Sequence, residues 1–187
     1  MTKPISLVEP MQWVDPTLHV ADGEHALEFH IQDAFNYHGY DAVGGVVLGF
    51  RLLQRAVRHF SENAPQTLLQ RRGFSLLTAF PGLGARDCFE LVTRMVTEGR
   101  MIVDTNLVCP VAQEGVQGRF FFEFTYGYKK IQLAPVEGYP GDEFIALGKA
   151  SKLSDFSPAQ QLAWRKAKYD LANTLLGADA QTVIRVL

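Results

Sequence analysis

The segment Val43-Gly44-Gly45-Val46-Val47-Leu48-Gly49-Phe50-Arg51 constrains the fold of this chain more than any other. It reads as the apolar first half of a helix running from about Asp41 to Phe60. Each glycine in a helix interior costs about 1 kcal/mol relative to alanine. Three of them imply that a second backbone or a ligand must come close to this helix. Tyr37, His38, Gly39, Tyr40 and Asp41 stand immediately before it, so a histidine and a polar cluster sit at its mouth. The later half is amphipathic: Leu52, Leu53, Ala56, Val57 and Phe60 alternate at helical spacing with Arg51, Gln54, Arg55 and Arg58.

Residues 1–22 read as an extended, irregular segment, because Pro4, Pro10 and Pro16 prevent a long helix. An approximate apolar stripe through Leu27, Ile31, Ala34 and Phe35 predicts a first helix over Glu24–Tyr37, broken by Gly39. Gly73–Phe80 has strand composition. After the turn Pro81-Gly82-Leu83-Gly84, Ala85–Glu98 reads as a helix and Arg100–Asn106 as a strand. Gly118–Tyr126 and Tyr128–Leu133 form a predicted antiparallel hairpin around Gly127. Asp142–Lys152 reads as a short helix. Ser157-Pro158-Ala159-Gln160 combines a serine cap, a proline at the first helical position and a capping-box glutamine. That C-terminal helix spans 157–177. Helices and strands interleave without strict alternation, which predicts an α+β single domain over 1–187, its mainly antiparallel sheet packed against helices and a glycine-rich core helix.

A formal net charge of -2 argues against nucleic acid or an anionic membrane held by bulk electrostatics. No apolar run approaches the roughly 20 residues of a membrane-spanning helix. The proline-broken N-terminus does not resemble a signal peptide. Cys88 and Cys109 are too few for a disulfide framework. A cytoplasmic protein without a membrane or nucleic-acid partner is the expectation.

At the opening stretch the chain resembles the E-type formylmethanofuran dehydrogenase family, whose pattern reads His-Gly-His-x-Cys-Pro-Gly, then small and apolar residues, then Leu/Ile-Gly-Tyr-Arg. His38-Gly39, Gly44 and Leu48-Gly49-Phe50-Arg51 match it, while Tyr40, Ala42 and Val43 replace the second histidine, the cysteine and the proline. A second block, Cys-x-x-Asp-Ala-Ile-Gln followed by Thr-Gly-Cys, can be laid on Gly84 to Met101, where Asp87 and Thr93 match and both cysteines are lost. The resemblance implies a compact α+β core that pairs into a homodimer, with polar residues near a cleft. Without the second histidine and the cysteine, the soft ligands of a transition-metal site are missing, so no metal is expected.

His38 is the leading candidate for acid–base work or ligand orientation, since imidazole titrates near neutral pH; closing a loop between two helices is the alternative. Asp41 could orient that imidazole or cap the helix, and Tyr40 could polarise a carbonyl or simply pack. These three form the candidate catalytic set. Arg51 and Arg86 are candidate anion holders, and Asp87 could face the same cleft or cap its own helix. Cys88 lies near a helix N-terminus, where a thiol can become a nucleophile, but it reads better as a small core residue. Cys109-Pro110 admits a haem thiolate, with a loop cysteine as the plainer reading. Pro81–Arg86 precedes a helix yet lacks the Gly-Lys-Ser/Thr ending of a phosphate loop. Phe120, Phe122, Phe124 and Tyr126 fall on one strand face, to pack against helices, a partner copy or a planar ligand. The functional expectation is a small organic ligand or cofactor, of unspecified identity, in a cleft around His38. The alternative is a non-catalytic accessory or carrier protein with a vestigial metal site or bound haem.

Overall fold

A two-stranded hairpin opens the described chain. Its strands, β1 (Thr17–Asp22) and β2 (His25–His30), pair antiparallel and turn at Gly23, whose φ of 62° favours glycine. The computed structural model describes residues 5–7, 12–62 and 66–187. The predicted helix over Glu24–Tyr37 is therefore corrected: its first half is β2, and only Ile31–His38 is helical, as α1. Leu27 and Phe29 alternate inward opposite Val20 and Leu18 of β1. Period two thus overrides the loose helical stripe. Helix α1 begins where the His30 backbone N–H donates to the Asp33 carboxylate at 2.8 Å. Likewise, the last six residues of the segment 1–22 form β1 rather than irregular chain; Pro4 and Pro10 lie outside the described residues.

The glycine-rich helix α2 (Val43–Ser61) is the centre of the molecule, buried along most of its first half. Strand β3 (Phe74–Thr78), helix α3 (Leu83–Thr93) and strand β4 (Met101–Val103) follow, β3 and β4 pairing in parallel. Helix α3 stops five residues short of the Glu98 expected from sequence. Arg94 adopts a left-handed φ of 61°, and Glu90 turns to accept from the backbone N–H of Val96 and Thr97 at 2.9 and 3.0 Å. The predicted hairpin is present as β5 (Phe122–Tyr126) and β6 (Lys129–Pro135), turning through Gly127 at φ 59°. Helices α4 (Asp142–Ala150), α5 (Pro158–Leu176) and α6 (Ala180–Val183) lead to the last strand, β7 (Ile184–Val186). Helix α5 carries the expected Ser157–Gln160 capping box, and its C-cap is Gly177.

The five-stranded sheet runs β4-β3-β5-β6-β7, antiparallel at every pair except β3–β4. The chain is an α+β domain. One continuous core joins α1, α2, α3 and α5 to the inner sheet face. Phe122 and Phe124 are buried there, both meeting Phe89 of α3 edge-on, so the aromatic strand row packs against helices.

The glycines of α2 are explained by helix packing. A Cβ on Gly49 would stand 2.8 Å from the Ala85 Cα, and one on Gly84 would stand 2.8 Å from both the Ala42 carbonyl oxygen and the Val46 nitrogen. The backbones of α2 and α3 therefore touch, which only glycine permits. Gly44 faces α5 instead, where an added methyl would stand 3.1 Å from the Leu171 side chain. Gly45 is looser, its nearest neighbour at 3.6 Å.

Candidate functional site

His38 is the last residue of α1, and Gly39 ends the helix in a conformation (φ 90°) that a side chain would strain. The turn aims the imidazole across to α3. There Nδ1 lies 2.8 Å from Oδ2 of Asp87, with both side chains largely buried. An ionised carboxylate only accepts, so Nδ1 carries the hydrogen and the neutral ring keeps its lone pair on Nε2. Among the described residues Nε2 has no hydrogen-bond partner. Asp87 also receives the exposed Arg86 guanidinium at 3.2 Å on its other oxygen. His38, Asp87 and Arg86 thus form one polar corner, and Asp87, rather than the neighbouring Asp41, orients the histidine.

Tyr40 takes no part in that corner. Its ring stacks on Phe35 with centroids 5.6 Å apart, and its hydroxyl accepts from Gln32 at 2.8 Å. Asp41 does not cap α2: the N-cap is Ala42, without a side-chain hydrogen bond. The Asp41 carbonyl instead accepts from the Lys168 ammonium of α5.

Arg51 is a correction to the expected anion holder. It is fully buried, and all five of its N–H donors are used within the chain. Nε donates to the Leu175 carbonyl at 2.9 Å, and the terminal nitrogens donate to Leu176, Val14, Asp15 and Gln54 at 2.6 to 3.1 Å. The side chain ties the C-terminal end of α5 and the strand leading into β1 onto α2. Burial lowers its pKa to about 10, with Asp15 and Asp179 opposing that shift, so it stays charged at neutral pH. It has no capacity left for a ligand.

The largest opening near these residues is a cavity of about 390 Å³ between α2, the start of α3, α4 and α5. Ala42, Gly44 and Gly45 form its floor, Gly82–Gly84 one edge, and Phe80, Phe120, Phe144 and Trp164 its walls. Of the candidate catalytic set only Asp41 lines it; His38 and Tyr40 stand outside. Asp87 is one helical turn beyond Leu83, so the polar corner lies next to the cavity, across the contact of Ala42 with Gly84. Sequence reading missed Lys168, Phe144 and Trp164, which arrive from over a hundred residues downstream; their only local signal was the amphipathic start of α5.

Comparison with known proteins adds no assignment. No family model and no curated protein matches the chain. The formylmethanofuran dehydrogenase resemblance therefore rests on His38-Gly39, Gly44, Leu48–Arg51, Asp87 and Thr93 alone. Among the described residues no group of three or more His, Cys, Asp or Glu side chains could hold a metal ion. Cys88 is buried, and burial together with the Asp87 charge pushes its thiol far above the usual range, as suits a core residue and not a nucleophile. Cys109 is a partly buried loop residue whose carbonyl closes a turn to Ala112. No described helix is long and apolar enough to cross a membrane.

Proposed function

We propose that this chain binds a small organic ligand in the cavity between α2, α3, α4 and α5. The observation that carries the reading is the cavity itself: a concave, mainly apolar space of ligand size with a few polar groups at its edge. Its floor is made of the glycine-rich helix that carries the formylmethanofuran dehydrogenase resemblance, and the same resemblance is the basis for a homodimer. N-phenyl-1-naphthylamine, a neutral aromatic probe, tests the reading by fluorescence titration. Saturable binding of one probe per chain, weakened roughly tenfold by Phe144→Ala, is the expected result. Absence of saturable binding overturns it.

A second reading, acid–base catalysis, is favoured by the His38–Asp87 pair. Asp87 holds the ring so that Nε2 is the proton acceptor, the arrangement of a general base with its orienting carboxylate. It ranks second because His38 is outside the cavity wall. Turnover of any bound ligand would then fall by about a hundredfold or more in His38→Gln, with binding retained. Equal turnover in both proteins would leave the chain as a carrier.

A further inference from the structure

The cavity has a chemical polarity that narrows what it can hold. Its walls are two aromatic pairs: Phe80 and Phe120 stack with centroids 4.8 Å apart, and Phe144 and Trp164 lie 4.6 Å apart. Flat rings facing one space suit a flat apolar body. Charge collects at one edge, where Lys168 and Lys152 face a single carboxylate, Asp41. The Lys168 ammonium covers the Trp164 ring at 5.7 Å and donates to the Asp41 carbonyl. An ammonium has three donors, so two are left over from its one bond among the described residues. Burial lowers the Lys168 pKa against the opposing Asp41 charge, with Arg165 adding to the lowering. This cation is short of hydration and of a full anionic partner.

A cationic ligand is disfavoured by the same geometry, because the Trp164 face that would attract it already carries Lys168. Two helix N-termini add to the positive edge. Both α2, 19 residues long, and α3, 11 residues long, begin at the cavity, with no side-chain cap and no acidic residue in the first turn. On α3 the first intrahelical donor is Arg86, so the N–H groups of Leu83, Gly84 and Ala85 have no acceptor within the helix. Their dipoles reinforce the lysines.

We infer that the cavity takes a flat organic monoanion, its ring between the two aromatic pairs and its carboxylate or sulfonate against Lys168 at the start of α3. The inference rests on the ligand-binding reading above and adds the chemical class. Asp41, which bears the opposing charge, sits on the far side of the Lys168 contact and leaves the edge with a net positive excess.

A matched pair of probes tests it. Trp13→Phe leaves Trp164 as the sole tryptophan of the chain, so quenching of its emission reports occupancy of this cavity. In that background, 1-anilinonaphthalene-8-sulfonate and the neutral N-phenyl-1-naphthylamine share their aromatic body and differ in charge. Both should quench Trp164, and the sulfonate should bind more tightly. Lys168→Met should weaken the sulfonate about tenfold while changing the neutral probe less than about twofold, because only the charge-assisted contact is lost. Lys168→Arg should restore the sulfonate. Equal affinity for both probes, indifferent to Lys168→Met, overturns the anion assignment and leaves the cavity as a ligand site. Quenching by neither probe overturns the ligand-binding reading itself. If Lys168→Met loses both probes, Lys168→Arg decides: preference for the sulfonate supports the assignment, and its absence overturns it.

Discussion

His38 and Arg51 bracket the glycine-rich segment, and their fates differ. Arg51 is buried and spends every donor on carbonyls and one amide of its own chain. His38 spends one ring nitrogen on Asp87 and keeps the other without a partner among the described residues. A polar side chain saturated by its own fold is part of the structure. One held rigidly by a single partner, with a valence to spare, can still act on something else. The same distinction separates Glu90, consumed by the turn after α3, from Lys168, which gives one of three donors to Asp41.

The strongest way to break this comparison is Arg51→Met. It would strand the carbonyls of Val14, Asp15, Leu175 and Leu176, and about 3–5 kcal/mol of stability should be lost in urea unfolding. Arg51→Lys should recover little, since an ammonium cannot span that fan of acceptors. A loss below about 1 kcal/mol would return Arg51 to the pool of candidate ligand groups.

Between the two ends, Gly49→Ala and Gly45→Ala form an internal contrast. Gly49→Ala pushes a methyl into the Ala85 backbone, where neither helix can easily yield, and should cost about 1–3 kcal/mol. Gly45→Ala has room and should be neutral or stabilising by up to about 1 kcal/mol through helix propensity. Equal effects at the two positions would mean that close helix contact is not the reason for these glycines.

Glu90 sharpens the saturated side of the comparison through pH. Burial pushes its carboxyl up, but hydrogen bonds from Thr97 and Val96 and the Arg94 charge more than offset this, so its pKa is lowered. The contribution to stability is then full above the ordinary glutamate range and disappears as pH falls through the lower folded-state value. Glu90→Gln should cost about 1–2 kcal/mol at neutral pH, and the difference from the parent chain should shrink in acid. A difference that grows on acidification would reverse the sign of this linkage.

The smallest stability effect belongs to His38. Asp87→Asn should change unfolding free energy by less than about 1 kcal/mol, as expected for one partly exposed pair. Its readout is elsewhere: nitrogen NMR of the imidazole in alkaline solution should show hydrogen on Nδ1 in the parent chain and a loss of that preference in Asp87→Asn. A parent ring protonated on Nε2 would refute the orienting role of Asp87.

Much of the architecture was legible in the residues. Gly127 marked the β5–β6 turn, Ser157-Pro158-Ala159-Gln160 marked the start of α5, and the run from Gly44 to Gly49 announced a close approach. The helix expected over Glu24–Tyr37 failed because a short apolar pattern fits two periods; the pairing of Leu27 with Val20 chose between them. The site was only half legible. His38 and Asp87 were both marked out, but adjacency in sequence favoured Asp41 as the orienting carboxylate, whereas the α1–α3 packing selects Asp87 across 49 residues.

The sequence by itself determined the α+β class, most element positions, the need for backbone contact at α2 and the short list of polar candidates. These follow from local rules: periodicity, capping, turn chemistry and the absence of a Cβ. Only the tertiary structure decided which backbone approaches Gly49, which carboxylate meets His38, and that Arg51 is spent on α5. It alone brought Lys168, Phe144 and Trp164 to the cavity beside Gly44 and Gly45. Side-chain valence is satisfied by whatever the fold brings within about 3 Å, and that neighbour is set by packing between distant segments, on which local pattern is silent.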